Sequence, residues 1–249
     1  MRDAHRWEEL LPEEFFAEVE RAPVVYWSCG AMEEHGLHAS LGTDWLQTYE
    51  VCLRAVEMTG GIVFPQVPFA PAGIPGMSRE ELRGKTDELF APSLWVSREL
   101  CVRLYTELME SMADMGFKAC VALGGHYPAE LLLQAMHEET GGVVRGMKWH
   151  AAGTVSLLRE EIDALLAEDP HVSGHGGMWE TSLICAARPG WTDLSRAERV
   201  MDVGFPSQLQ KLGAPGLRKI ADATPEIGEK LLNFGAEKAA RYARELLGG

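Results

Sequence analysis

The chain has 249 residues and carries 37 Asp plus Glu against 23 Lys plus Arg, a formal charge of −14. That acidic surplus argues against nucleic acid as a partner, because phosphate binding needs basic patches, and 46% hydrophobic with 24% charged residues excludes wholesale disorder. At 27.4 kDa one large core can bury about 70–75% of the surface of the unfolded chain, so a single domain over residues 1–249 is expected.

Residues 24–29 (VVYWSC) form a short β-branched and aromatic run that predicts a strand. Helical periodicity follows over 45–59 and stops at Gly60-Gly61, and 62–64 starts a second strand. After a Pro/Gly-rich loop over 65–76 comes a long helical stretch at about 92–115, ended by Gly116. A strand at 119–123 runs into Gly124-Gly125-His126, and a helix extends from there through Thr140. Residues 143–150 predict another strand, 155–167 an amphipathic helix and 177–187 a further helix. Thr224 as N-cap and Pro225 at the first helical position open a last helix to about Leu247. Strands alternating with helices of this length predict an α/β fold: a three-layer sandwich with a mostly parallel sheet and helices on both faces.

No apolar run approaches the roughly 18–20 residues that span a bilayer. The N-terminal MRDAHRWEELLPEEFF mixes acids and bases, unlike a signal peptide. Cys29, Cys52, Cys101, Cys120 and Cys185 are odd in number, lie among apolar neighbours and form no CxxC pair, so they read as thiols of a reducing compartment. The expectation is a cytoplasmic protein with no membrane and no nucleic acid among its partners.

Open α/β sheets place chemistry at the carboxyl ends of their strands, and three histidine-bearing clusters fall there or at a loop–helix junction. The first is Glu33-Glu34-His35-Gly36-Leu37-His38 with Thr43-Asp44 beyond it. Glu33 and His35, two apart, share one side of an extended chain, and carboxylate plus imidazole is a donor set for zinc or manganese. The plainer reading makes Asp44 or Thr43 an N-cap and leaves Glu33 and Glu34 solvated. The second is Gly124-Gly125-His126-Tyr127-Pro128, whose glycines let the backbone approach a ligand closely; the plainer reading has His126 tying down a loop. The third runs from Ser173 through His175 to Glu180-Thr181-Ser182, with His175 between glycines and Glu180 in the first turn of a helix, where the helix dipole alone would also favour it.

Together the segments GAMEEHGLHASLGTD, ALGGHYPAE and SGHGGMWETS resemble the creatininase family of metal-dependent amidohydrolases in order and spacing. The resemblance spans about 24–189 and extends weakly into ATPEIGEKLL. It implies one or two divalent cations per subunit (zinc, manganese or iron), with Asp44 bridging, Glu33 and His126 completing one site and His35 in the other. Creatininase proper also uses a glutamate two residues after the histidine that matches His126. Here that residue is Pro128, which cannot ligate. Glu180 is the preferred replacement and Glu130 the second choice; otherwise Glu130 is simply solvated.

The resemblance implies hydroxide, generated at the metal, attacking a small carbonyl substrate, with a cyclic amide or formamide as the substrate class. His175 is the expected proton donor to the leaving atom, because an imidazole ordinarily titrates near neutrality. Glu180 either ligates metal or orients the water. Tyr127 and Trp179 are expected to wall the pocket, Ser78 and Lys85 to contact substrate, and His38 to orient ligands, touch substrate or merely pack. The aromatic loop that closes over creatinine in creatininase is not recognisable around Trp149 and His150, which points away from creatinine itself. Relatives that open a diketo-inositol by carbon–carbon hydrolysis supply a second reaction, and a non-catalytic metal- or metabolite-binding maturation factor a third reading. The resemblance further implies a homohexamer, a trimer of dimers.

Overall fold

The computed structural model describes residues 4–71, 80, 94, 96–168, 175–197 and 220–249. Among these, α1 is Pro12–Arg21, β1 Val24–Cys29, α2 Thr43–Thr59, β2 Ile62–Val63, α3 Arg98–Asp114, β3 Ala119–Gly124 and α4 Tyr127–Thr140. They are followed by β4 Val143–Val144, β5 Met147–Gly153, the single turn α5 Thr154–Leu157, α6 Arg159–Glu168, α7 Met178–Ala187 and α8 Pro225–Leu247. The five strands form one sheet in the order β2-β1-β3-β5-β4, with β2, β1, β3 and β5 parallel. Only β4 runs antiparallel, against β5.

Alternation along the strands divides the interior into two layers. Val24, Tyr26, Val63, Val121, Leu123 and Ala152 pack on one face with α2, α7 and α8, while Val25, Trp27, Ile62, Cys120, Ala122 and Trp149 pack on the other with α1, α3 and α4. This is the expected sandwich, with both faces of a parallel sheet covered. All five cysteines are free and buried.

The helix ends follow local chemistry. Thr224 Oγ1 accepts the Ile227 N–H at the start of α8, and Gly248 closes it in the left-handed region. Ser97 caps α3 by accepting the Leu100 N–H, so that helix begins at Arg98 rather than near 92. Before the cap, Leu94 donates its N–H to the Met32 carbonyl and Val96 bridges Pro71, both extended contacts that compete with helix. The expected strand over 143–150 is instead a hairpin turned at Arg145 and Gly146, both at positive φ. The expected helix over 155–167 breaks at Leu158, whose buried side chain joins the core between α5 and α6. Among the described residues no helix is long and apolar enough to cross a membrane.

The register decides where the site lies. Cys29, Gly124 and Gly153 stand side by side at the carboxyl ends of β1, β3 and β5. From β1 the chain goes to β2 on one side and then to β3 on the other. A crevice therefore opens above β1 and β3, where the connections diverge.

Candidate metal centre

Five of the six expected metal-binding and catalytic residues converge above β1 and β3, and the sixth, His175, closes one side. Asp44 is the pivot. It is the second residue of α2, whose N-cap is Gly42, and its side chain does not cap the helix. Instead Oδ1 lies 3.1 Å from His35 Nε2 and Oδ2 3.1 Å from His126 Nδ1. Thr43 ties the turn by donating its hydroxyl to the Ser40 carbonyl. The plain N-cap reading of Asp44 is thereby replaced: its two oxygens face two histidines.

Glu33 and His126 complete one side. Glu33 is buried rather than solvated, with Oε1 3.1 Å from His126 Nδ1 and 3.4 Å from His175 Nδ1. His126 occupies the N-cap position of α4 without capping it, and the loop before it passes close to α2. A Cβ on Gly125 would overlap the Asp44 carbonyl, so glycine is required for that approach. On the other side His35, fully buried, donates Nδ1–H to the Glu33 carbonyl, which turns Nε2 toward Asp44 Oδ1 and places it 3.8 Å from Glu180 Oε1. Glu180, third residue of α7, accepts the Gln47 amide at Oε1 (3.0 Å) and the Gly176 N–H at Oε2 (2.6 Å). Glu180 thus faces His35 with one oxygen and is tied to the Gly176 N–H, just before α7, by the other.

His175 stacks on His35 at 4.1 Å between ring centroids and donates Nε2–H to the Glu34 carbonyl at 2.6 Å. That bond leaves Nδ1 facing Glu33. His38 is buried and donates Nε2–H to the Gly176 carbonyl at 3.0 Å, holding the segment that carries His175 and Glu180.

Electrostatics sharpen the picture. Burial works against ionisation of Asp44, yet the His35 and His126 charges outweigh it and hold the carboxyl well below the usual carboxylate range. Burial likewise works against charged His126, but Glu33 and Asp44 raise it to about 10. His35 goes well above its ordinary value because Asp44 and Glu180 overcome burial, and the same pairing lowers Glu180. His38, with burial dominant, falls to about 4 and stays neutral.

Three trios of donor atoms lie within 4.8 Å of one another: Glu33–Asp44–His126, His35–Asp44–Glu180 and Glu33–His35–His175. Glu33 Oε1 and Asp44 Oδ2 are buried yet accept no well-aligned hydrogen bond, and His126 Nε2 has no partner. Buried carboxylate oxygens left this way suit a cation, and mixed oxygen and nitrogen donors suit zinc, manganese or iron.

Not every expectation converges here. Glu130 is neither ligand nor solvated: 3% exposed, it accepts the Val155 and Ser156 N–H groups and caps α5. Trp179 is 6% exposed and packs in the core, whereas Tyr127, beside His126, is 51% exposed. Ser78 and Lys85 lie outside the described residues. Sequence reasoning missed Gln47, although it stands one helical turn after Asp44 on the same face of α2.

A family model described as creatinine amidohydrolase matches residues 8–243. The chain belongs to the creatininase family. A creatinine amidohydrolase of Pseudomonas putida is 25% identical over 260 residues, covering 95% of each chain. Two solved structures, a manganese creatininase and a creatininase variant of Zn–Zn type, superpose with TM-scores of 0.73 and 0.71, each at 22% identity over 98% of both chains. As a member of the creatininase family the chain is a metal-dependent hydrolase, and the trios around Asp44 are its candidate cation sites.

Proposed function

We propose that this chain is a single-domain amidohydrolase, acting over residues 1–249 on a small cyclic amide or formamide through two divalent cations that share Asp44. The observation that carries the reading is the division of the Asp44 carboxylate, one oxygen toward His35 and the other toward His126, each at 3.1 Å. Glu33, Asp44 and His126 would hold one cation, and His35, Asp44 and Glu180 the second. Glu180 on α7 takes the part that Pro128, without a carboxylate, cannot play. When bound, the cations supply Lewis acidity and hydroxide at neutral pH.

The chain's own groups do the rest. Glu33, Asp44 and Glu180 offset the cations' charge, and Gln47 with the Gly176 N–H fixes the Glu180 carboxylate. His175 has Nε2–H committed to the Glu34 carbonyl, so it takes up and delivers a proton at Nδ1, the atom facing the cluster. Tyr127, exposed beside His126, contacts substrate, and Ser78 and Lys85 are further contacts in this proposal. Trp149 is buried in β5, in keeping with a substrate other than creatinine. The same proposal makes the enzyme cytoplasmic, in keeping with five free buried thiols, and a homohexamer, in keeping with the family.

The test is incubation of Mn²⁺- or Zn²⁺-loaded protein with a panel of lactams, cyclic ureides, formamides and an oxidised inositol, with ring opening followed by mass spectrometry. Turnover of an amide supports the reading. Turnover of the inositol alone moves the chemistry to carbon–carbon hydrolysis, and no turnover by protein holding two cations favours a binding protein.

A further inference from the structure

The first and third clusters meet at one residue. Gly176 has φ 64°, and a Cβ there would stand 3.0 Å from the His35 carbonyl oxygen, so the third cluster is pressed against the backbone of the first. On one side of its Cα, the Gly176 N–H is given to Glu180 Oε2 at 2.6 Å. On the other, its carbonyl accepts His38 Nε2–H at 3.0 Å and the Thr181 hydroxyl at 3.1 Å, and His38 Nε2 also lies 3.0 Å from that hydroxyl oxygen. His175 is the preceding residue. A single glycine thus sets both the carboxylate that faces His35 and the backbone direction of the histidine that faces Glu33.

His38 comes from the first cluster, 138 residues away in sequence. It is 2% exposed and belongs to none of the candidate ligand trios. Its Nδ1 is buried with no partner, an arrangement that leaves a polar atom unsatisfied to put Nε2–H on the Gly176 carbonyl. Packing alone would be met better by an apolar side chain.

We infer that His38 is a positioning residue: through the Gly176 carbonyl it holds Glu180 in the second cation site and His175 over the cluster. The inference rests on the proposed reading of Glu180 as a ligand. It also gives the first cluster a hold on the third that does not pass through a metal. Glu180 comes from another part of the chain than the remaining ligands, so a short polar link between the two loops fixes the distance between the two halves of that site.

The side-chain lengths make the test specific. A glutamine amide reaches about as far as His38 Nε2, whereas an asparagine amide reaches only to the place of Nδ1. Full-length protein, stripped of metal, is titrated with Mn²⁺, and the two bound ions are followed by electron paramagnetic resonance and elemental analysis. For His38→Asn and His38→Ala the second ion is expected to bind about 10–100-fold more weakly with the first nearly unchanged. His38→Gln is expected within about threefold of the parent. kcat should follow the second ion while KM stays within about twofold, a split that general unfolding does not produce. Where His38→Ala fails to fold, the His38→Asn and His38→Gln pair carries the comparison.

Glu180→Gln separates the two claims. If it retains both ions at parental affinity, the reading of Glu180 fails. If it loses the second ion while His38→Asn keeps both, or if His38→Gln is no better than His38→Asn in folded protein, the role given to His38 is overturned.

Discussion

Metal uptake by the stripped protein should release protons, and the number follows from the geometry. His126 Nδ1 stands 3.1 Å from both Glu33 and Asp44, which raises its pKa to about 10. At pH 7.5 it is an imidazolium, and a cation can use Nδ1 only after that proton leaves. Displacing it costs about 1.36 kcal/mol per unit between pH and pKa, hence about 3–4 kcal/mol of apparent affinity at pH 7.5. Affinity should therefore rise about tenfold per pH unit up to pH 10, about 100-fold from pH 6 to 8; an ordinary histidine titrating near 6.5 would give only about fourfold. His35, raised by Asp44 and Glu180, adds a proton of its own. Calorimetric titration with Zn²⁺ at pH 7.5, in buffers of differing ionisation enthalpy, should count at least about two protons released per subunit. Release of less than one, with affinity nearly flat in pH, would refute the reasoning: the histidines would then be neutral and not clamped between carboxylates.

The remaining predictions address single contacts. Asp44→Ala should bind neither cation and lose activity, read by elemental analysis and turnover; full metal content would contradict its bridging place. Gly125→Ala forces a Cβ onto the Asp44 carbonyl and should cost both stability and metal binding, measured by urea unfolding and metal titration. Glu130→Ala leaves the Val155 and Ser156 N–H groups without their acceptor and should cost about 2–3 kcal/mol in urea unfolding, with metal stoichiometry unchanged. The metal-free protein should also depend on pH in a fixed direction. Because the His126 pKa is raised on folding, its contribution is fully present below about pH 6.5 and is lost as pH climbs through 10. The urea midpoint should fall over that range, and less so with metal bound.

Much of this was legible in the sequence because it rests on local signals. The β-branched runs at 24–29 and 119–123 are both strands, and Thr224-Pro225 opens α8 at the expected residue. Where tertiary contacts compete with local preference the reading fell short. The start of α3 is set by the Ser97 cap and by extended pairing of Leu94 and Val96 with distant chain, which periodicity does not see. The hairpin at 143–150 turns on Arg145, a non-glycine at positive φ. Glu130 read as a second-choice ligand or a solvated group because a helix position one turn from His126 says nothing of α5, whose N–H groups it caps beyond the carboxyl end of the neighbouring strand β5. Trp179 sits beside a site residue in sequence, but successive helical positions point about 100° apart, and it turns into the core. The links made by Gln47 and His38 depend on which loops meet, and only the fold supplies that.

The most direct test of the central claim is a crystal structure of the metal-loaded protein with anomalous data at the metal edge. Two peaks are expected to flank the Asp44 carboxylate, one held by Glu33 and His126 and the other by His35 and Glu180. A single peak, or a second one with Glu180 turned away from it, would contradict it.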